Sequence, residues 1–429
     1  MKIDLEKIKK VHFIGIGGVG VSAIARMMLD LGKDVSGSDS SASRITDGLE
    51  KIGARISIGH DEKNLDSNAD LVVYTIAIPK DNPELMKAER LEVELLSYPE
   101  MLGVASEGFY TIAVSGTHGK TTTTAMLSDV LIKSGLDPTV IVGSLLKERG
   151  SNYVRGESKY FLVEACEYKR SFLNLKPKIL IINNIEEDHL DYYKDLEDIQ
   201  SAFKELAQSV PKDGFIICNS KDSGLLPVLD GAVAKVIDYT NFIERNLKLN
   251  IPGEHNLSNA GVVLAVSDIL GIKKEKAFEI LKSYSGVWRR FEFKGETKNG
   301  VLIYDDYAHH PTEVKMTLKG ARNFFKRKIF VVFQPHLYSR TRQFLKEFGK
   351  SFSDADHVII LPIYAARELE DSTINSEMLV EEINKNSNNA TYQKDFDDCA
   401  EYLKKETEKG DVVITVGAGD VFRVGDMMR

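Results

Sequence analysis

The chain has 429 residues, 43% of them hydrophobic and 28% charged, with 56 basic against 64 acidic side chains and a net charge of −8. That balance suits several globular cores, two to four domains at roughly 100–200 residues each. It argues against a protein held on nucleic acid or a membrane surface by bulk charge.

No apolar run approaches the ~18 residues of a membrane span. The amino terminus carries acids where a signal peptide needs an apolar stretch, and Cys166, Cys218 and Cys399 lie far apart, so a reduced cytoplasmic protein is expected. In chain order, Val11–Ile16 reads as a strand, Val21–Leu31 as a helix, Asp34–Asp39 as a strand, Ala42–Ile52 as a helix and Ala69–Ile76 as a strand. Near-continuously apolar strands joined by helices predict an α/β fold of parallel sheets covered on both faces. A second block opens with the strand Phe109–Gly116 and a helix from Lys120. Strands Lys159–Cys166 and Lys178–Ile185 and helices Ser258–Leu270 and Glu275–Tyr284 follow. The pattern breaks around Gly286–Gly295, and a third block holds strands Lys328–Phe333, His357–Pro362 and Asp411–Gly417. The expected domains are 1–108, 109–295 and 296–429.

Two glycine loops stand out. Gly15-Ile16-Gly17-Gly18-Val19-Gly20 follows a strand and opens a helix, where free N–H groups can hold a diphosphate. Asp39, 19 residues after Gly20, stands where a ribose or base is read. NAD is the obvious ligand of this loop alone, and other nucleotides stay open. Gly116-Thr117-His118-Gly119-Lys120-Thr121-Thr122 keeps the Gly-Lys-Thr core of a P-loop, but the usual first glycine position is Val114 and a glycine stands instead at 116. Lys120 in such a loop reaches β/γ-phosphate oxygens and the Thr121 hydroxyl binds Mg²⁺, which points to ATP. With two cradles, one holds ATP and the other a nucleotide-carrying substrate. Glu164 and His189 end later strands and are candidates to hold Mg²⁺ near the γ-phosphate.

Polar clusters follow at Gly253–Asn259, Trp288–Glu292, Tyr304–Thr312 and Gln334–Arg342. Arg289, Arg290, Arg340 and Arg342 offer the local cations that an acidic protein needs if it gathers anions. His309, His310 and His336 are candidate proton acceptors near neutrality.

Gly116–Thr123, Glu164, Asp188-His189, His255-Asn256, Arg290-Phe291 and Asp305–Thr312, in that order along nearly the whole chain, resemble the Mur ligases. The Gly15–Gly20 loop, Tyr74–Ile78, His309-His310-Pro311-Thr312 and Gln334-Pro335-His336 are similar to the branch that joins L-alanine to the lactyl carboxylate of UDP-N-acetylmuramate. The resemblance implies a Rossmann-like N-terminal domain for the UDP-sugar, a central P-loop ATPase-like domain, and a Rossmann-like C-terminal domain for the amino acid. It implies Gly116, Thr117, His118, Gly119, Lys120, Thr121 and Thr122 around the ATP phosphates, with Thr121, Glu164 and His189 on Mg²⁺. His255, Asn256 and Asn259 would border the adenine, Arg290 the phosphates and Asp306 the ATP ribose. Gly15, Gly17 and Gly18 would meet the UDP diphosphate, Ser38 and Asp39 the uridine, and Thr75 the same substrate. Lys120, His189, Arg290, His309, His336 and Arg340 would take part in the chemistry, the last two beside the incoming alanine. No nucleic acid or membrane partner is implied, and the chain would be a monomer or homodimer. Two departures stand out. The modified lysine of several sister ligases is replaced by Phe203, and the arginine of many relatives by Leu337.

The near alternative is a ligase that attaches a murein tripeptide to the same sugar nucleotide. The distant ones are an NAD-dependent oxidoreductase built on Gly15–Gly20 and a nucleotide-sensing protein without catalysis.

Overall fold

A computed structural model describes residues 3–366 and 368–429. Three sheets carry the chain. The first holds β1 (Lys10–Ile14), β2 (Asp34–Asp39), β3 (Arg55–Ile58), β4 (Leu71–Tyr74) and β5 (Glu94–Ser97), all parallel, in the order β3-β2-β1-β4-β5. The second holds β6 (Tyr110–Ser115), β7 (Thr139–Leu146), β8 (Ser151–Val154), β9 (Tyr160–Glu164), β10 (Ile179–Ile182), β11 (Phe215–Cys218) and β12 (Lys235–Asp238), in the order β12-β11-β10-β6-β9-β7-β8. The third holds β13 (Glu292–Glu296), β14 (Leu302–Asp306), β15 (Ile329–Phe333), β16 (His357–Ile360), β17 (Ala390–Tyr392) and β18 (Val412–Val416), in the order β13-β14-β18-β15-β16-β17.

The parallel expectation holds except at two edges, where β7–β8 and β13–β14 pair antiparallel. Ile179–Ile182, Ile329–Phe333 and Val412–Val416 are buried at every position, as strands covered on both faces must be. The first strand ends at Ile14 rather than Ile16 because Gly15 turns into the left-handed region at φ 79°. Residue 295, the expected second cut, lies inside β13.

The described chain packs as two compact bodies. The first comprises residues through Glu187, Tyr192–Phe242 and Gly261–Ile280, and so contains the first two sheets. The second comprises Asp188–Asp191, Ile243–Ala260 and Leu281–Arg429, and contains the third. Its sheet is covered on one face by Val314, Leu318, Phe348 and Phe352 and on the other by Cys399, Leu403, Val421 and Val424. Among the described residues no helix is long and apolar enough to cross a membrane.

Candidate active site

In the first body the loop Gly116–Gly119 leaves the carboxyl end of β6 and opens the helix Lys120–Lys133. Gly116 has φ 125°, and a Cβ there would lie 2.9 Å from the Asn183 nitrogen and 3.0 Å from the Asn184 carbonyl oxygen. The displaced glycine is therefore a steric requirement of the neighbouring strand end. That strand end also braces the loop. The His118 N–H donates to Asn184 Oδ1 (2.8 Å), and Asn183 Nδ2 donates to the His118 carbonyl (3.1 Å) and to Thr123 Oγ1 (3.2 Å).

Lys120 curls back over its own loop. Its Nζ donates to the carbonyls of Gly116 (2.6 Å) and Thr117 (3.0 Å) and lies 2.9 Å from Glu167 Oε2. Burial alone would lower the ammonium, but the charge of Glu167 more than offsets it and raises the group above an ordinary lysine. Next in the helix, Thr121 Oγ1 donates to Glu164 Oε1 (2.9 Å), while the Gly143 N–H donates to Glu164 Oε2 (2.7 Å). A carboxylate and a hydroxyl held together at the loop are hard oxygen ligands of the kind Mg²⁺ takes, so these residues fit the ion. Thr122 is buried in the same turn.

The other cradle uses hardly any charge. Gly15 and Ile16 N–H groups donate to the Ser38 carbonyl (2.8 and 3.0 Å), folding the loop onto β2. A Cβ on Gly15 would lie 2.5 Å from Thr75 Cγ2, which places Thr75 as a wall of the loop. The Gly17 N–H donates to Asp39 Oδ2 (2.9 Å), and Gly18 caps the helix Val19–Asp30. Ser38 was expected beside a uridine, yet it is wholly buried. Its hydroxyl donates to Glu84 Oε2 (2.7 Å), so it supports the loop from beneath. Burial opposes the charge of Glu84, but hydrogen bonds from His12, Asn64 and Ser38 hold its carboxyl below the ordinary range.

The second body gathers a different set. Arg340 is buried, with one guanidinium nitrogen 3.1 Å from His336 Nδ1 and another donating to Asp188 Oδ1 (2.7 Å). Despite burial, His189 and Arg340 hold Asp188 far below the usual carboxylate range. The His309 ring meets the His336 ring edge-on (5.7 Å), and its Nδ1 lies 2.9 Å from the Tyr307 carbonyl. Burial pushes His309 down to about 4. His310 caps the helix Pro311–Phe324 by accepting the Thr312 N–H at Nδ1 (3.3 Å). His189 neighbours Asp188 at φ 55°.

Several expected site residues prove to be braces. Asp306 was expected on a ribose, but it accepts the N–H groups of Phe291 (2.7 Å) and Ala308 (2.8 Å), and burial raises its carboxyl to about 6. Arg289 is no free cation either. It is buried, donates to Asp305 Oδ2 (2.8 Å) and the Gly417 carbonyl (2.6 Å), and stacks between Tyr307 and Phe422. Arg342 pairs with Asp371. Arg290 lies over the Tyr307 ring with Glu313 4.0 Å away. Asn256 donates to the Pro252 carbonyl (2.6 Å), Asn259 to Asn256 (3.2 Å), and His255 packs against Gly253. Phe203 is buried against Phe172, and Lys204 turns to Asp230. Leu337 is buried at φ 72°.

Three family models match this chain in order: "Mur ligase family, catalytic domain" over residues 10–110, "Mur ligase middle domain" over 114–241, and "Mur ligase, glutamate ligase domain" over 289–419. The UDP-N-acetylmuramate–L-alanine ligase of Clostridium acetobutylicum is 43% identical over 100% of this chain and 99% of its own length. The chain belongs to the Mur ligase family. The corresponding enzyme of Clostridium kluyveri is 45% identical over 100% of this chain and 99% of its own. Among solved structures, the UDP-N-acetylmuramate-alanine ligase of Thermotoga maritima superposes with a TM-score of 0.82 at 28% identity, over 98% of each chain. A Mur ligase with two glycine loops and a Lys120–Glu167 pair absorbs the features that an oxidoreductase reading leaves idle.

Sequence reasoning passed over Glu167, Glu84, Asn183 and Asn184. Glu167 had a signal, since it sits three residues beyond Glu164 in an acidic strand end. The two asparagines directly after the apolar strand were a second one.

Proposed function

We propose that this Mur ligase joins L-alanine to the lactyl carboxylate of UDP-N-acetylmuramate, with ATP converted to ADP and phosphate, as a cytoplasmic step of peptidoglycan precursor synthesis. The observation that carries the reading is full-length similarity to the alanine-adding branch together with two separate nucleotide cradles. Domain limits near 108 and 295 belong to the same proposal, as do Mg²⁺ and its ligands.

A carboxylate resists amines because oxide is a poor leaving group, so it must first be activated. The lactyl carboxylate attacks the γ-phosphorus of ATP, giving an acyl phosphate and ADP. The neutral alanine amine then adds to the acyl carbon, and phosphate leaves. Lys120 and Arg290 stabilise the charge on the transferring phosphoryl oxygens. Thr121, Glu164 and His189 would hold Mg²⁺, which when bound supplies further charge neutralisation to the phosphates. Asp39 and the Gly15–Gly20 turn hold the uridine diphosphate end, the diphosphate meeting the helix start after Gly18, because the Gly15, Gly17 and Gly18 N–H groups already donate within the loop.

The hydrogen bonds in the second body support different roles for two of the histidines. His309 gives its Nδ1 proton to the Tyr307 carbonyl, so its Nε2 carries a lone pair. Its depressed pKa keeps it neutral at working pH. A neutral Nε2 supports His309 as the proton acceptor for the amine, although burial has lowered its basicity. His336 receives an Arg340 N–H at Nδ1, so its remaining proton is on Nε2. His336 and Arg340 together donate toward the alanine carboxylate. The tripeptide-adding alternative uses the same activation and differs only in acceptor.

Labelling both lactyl carboxylate oxygens of UDP-N-acetylmuramate with ¹⁸O tests the route. With L-alanine as acceptor, each phosphate released carries one label. Unlabelled phosphate would overturn the acyl-phosphate assignment.

A further inference from the structure

Within the first body, the helix Val19–Asp30 that follows the sugar-nucleotide loop packs on β7 and β8 of the ATP-side sheet, and two side chains along this seam have no role so far. On one side Tyr98 opens the helix Tyr98–Ser106. A Cβ on Gly20 would lie 2.5 Å from Tyr98 Cζ and 2.8 Å from its hydroxyl oxygen, so the phenol presses directly on the glycine loop. Burial and then the charge of Glu164 oppose ionisation of this phenol, which therefore keeps its proton near the ATP-side carboxylate. Among the described residues none hydrogen-bonds the Tyr98 hydroxyl. The same helix packs on the segment Tyr168–Asn174, close enough that a Cβ on Gly103 would lie 2.6 Å from the Asn174 carbonyl oxygen.

On the other side, Lys169 and Arg170 are consecutive left-handed residues, at φ 52° and 56°. Non-glycine residues hold that conformation only under strain, and such strain collects at ligand sites. Arg170 is anchored to Asp198 (2.7 Å) and Ser201 (3.0 Å). Lys169 is exposed and turned the other way, its ammonium donating to the Ile76 carbonyl (3.2 Å) of the sugar-nucleotide domain. Ile76 follows Thr75, the wall of the Gly15 turn.

A substrate anchored by its diphosphate at Gly15–Gly20 and reacting at a phosphate beside Lys120 must carry its carboxylate across this seam. Two anions then approach each other, and the carboxylate needs a donor and a counter-charge that leave one lone pair free. We propose that Tyr98 and Lys169 bind the lactyl carboxylate of the sugar nucleotide, the hydroxyl donating one hydrogen bond and the ammonium a second, and so aim its free oxygen at ATP. This rests on the proposed reaction and adds two substrate-binding residues to it.

Tyr98→Phe keeps the ring against Gly20 and deletes only the donor. Lys169→Gln deletes the charge, and Lys169→Arg restores it. The expected result is a KM for UDP-N-acetylmuramate raised about tenfold in Tyr98→Phe and Lys169→Gln, recovery in Lys169→Arg, and a KM for ATP within twofold of the parent. UDP-N-acetylglucosamine, the same nucleotide without the lactyl ether, should inhibit parent and variants equally. An unchanged KM for UDP-N-acetylmuramate in both variants overturns the proposal. Weakening of both sugar nucleotides by the same factor also overturns it, because it moves the two groups onto the diphosphate or the sugar ring. The parent enzyme's activity with L-alanine, measured beside them, tests the underlying reaction separately.

Discussion

Gly15–Gly20 and Gly116–Lys120 are the same local device, a strand ending in a glycine turn that opens a helix, yet their surroundings differ in kind. Around the first loop the donors are backbone N–H groups, and among the described residues the only charge hydrogen-bonded to them is the Asp39 carboxylate. Around the second stand Lys120, Glu164 and Glu167, each charged and each hydrogen-bonded to the loop or its helix. A backbone cradle binds a diphosphate whose charge stays constant through the reaction, so it serves as a handle. A cradle with an ammonium and carboxylates meets charge that moves, and so it serves the chemistry. A glycine loop by itself reports a nucleotide, and only its side-chain neighbours tell which nucleotide reacts.

The sharpest way to break this contrast is Lys120→Ala. Turnover should fall by about a thousandfold or more, the scale of losing a preorganised charge at a phosphoryl group. Binding of UDP-N-acetylmuramate, followed by calorimetry, should be unchanged, and its loss in a folded variant would contradict the division of labour. Next comes His309→Asn, which removes the neutral proton acceptor and should lower kcat by about a hundredfold with the KM for ATP unaltered. Steady-state kinetics with varied ATP and alanine checks it. Glu164→Gln should raise the Mg²⁺ concentration for half-maximal activity by about tenfold, and an unaltered Mg²⁺ titration would remove it from the ligand set.

Gly15→Ala probes the handle. A methyl group at φ 79° and 2.5 Å from Thr75 must displace the turn, and a strain of 1–2 kcal/mol at 1.4 kcal/mol per decade raises the KM for the sugar nucleotide about tenfold while sparing ATP. The smallest effect is expected at Cys166. It lies between Glu164 and Glu167, but its crowded surroundings and then Glu167 push its thiol up to about 12. Cys166→Ser should stay within about twofold of the parent in kcat/KM.

Both loops were legible because all their constraints are local: a strand, a few glycines, a helix. Lys120, Thr121 and Glu164 were legible as part of that pattern. Their partners were not, because a chain offers no periodicity for contacts across long separations. Lys120 and Glu167 are 47 residues apart, His12 and Glu84 are 72, and Arg340 and Asp188 are 152. The same blindness made Ser38, Asp306 and Arg289 read as ligand contacts when buried partners claim them. Among strands, Asp34–Asp39 was read to the residue, whereas the short Arg55–Ile58 and Ala390–Tyr392 were too brief to show a pattern. The β7–β8 and β13–β14 hairpins were hidden by the expectation of parallel neighbours.

The most direct test of the whole account is phosphate release from ATP in the presence of Mg²⁺ and UDP-N-acetylmuramate, with L-alanine in one reaction and L-Ala-γ-D-Glu-meso-diaminopimelate in the other. Release that depends on L-alanine is the predicted result. Release with the tripeptide alone, or with neither acceptor, would contradict it.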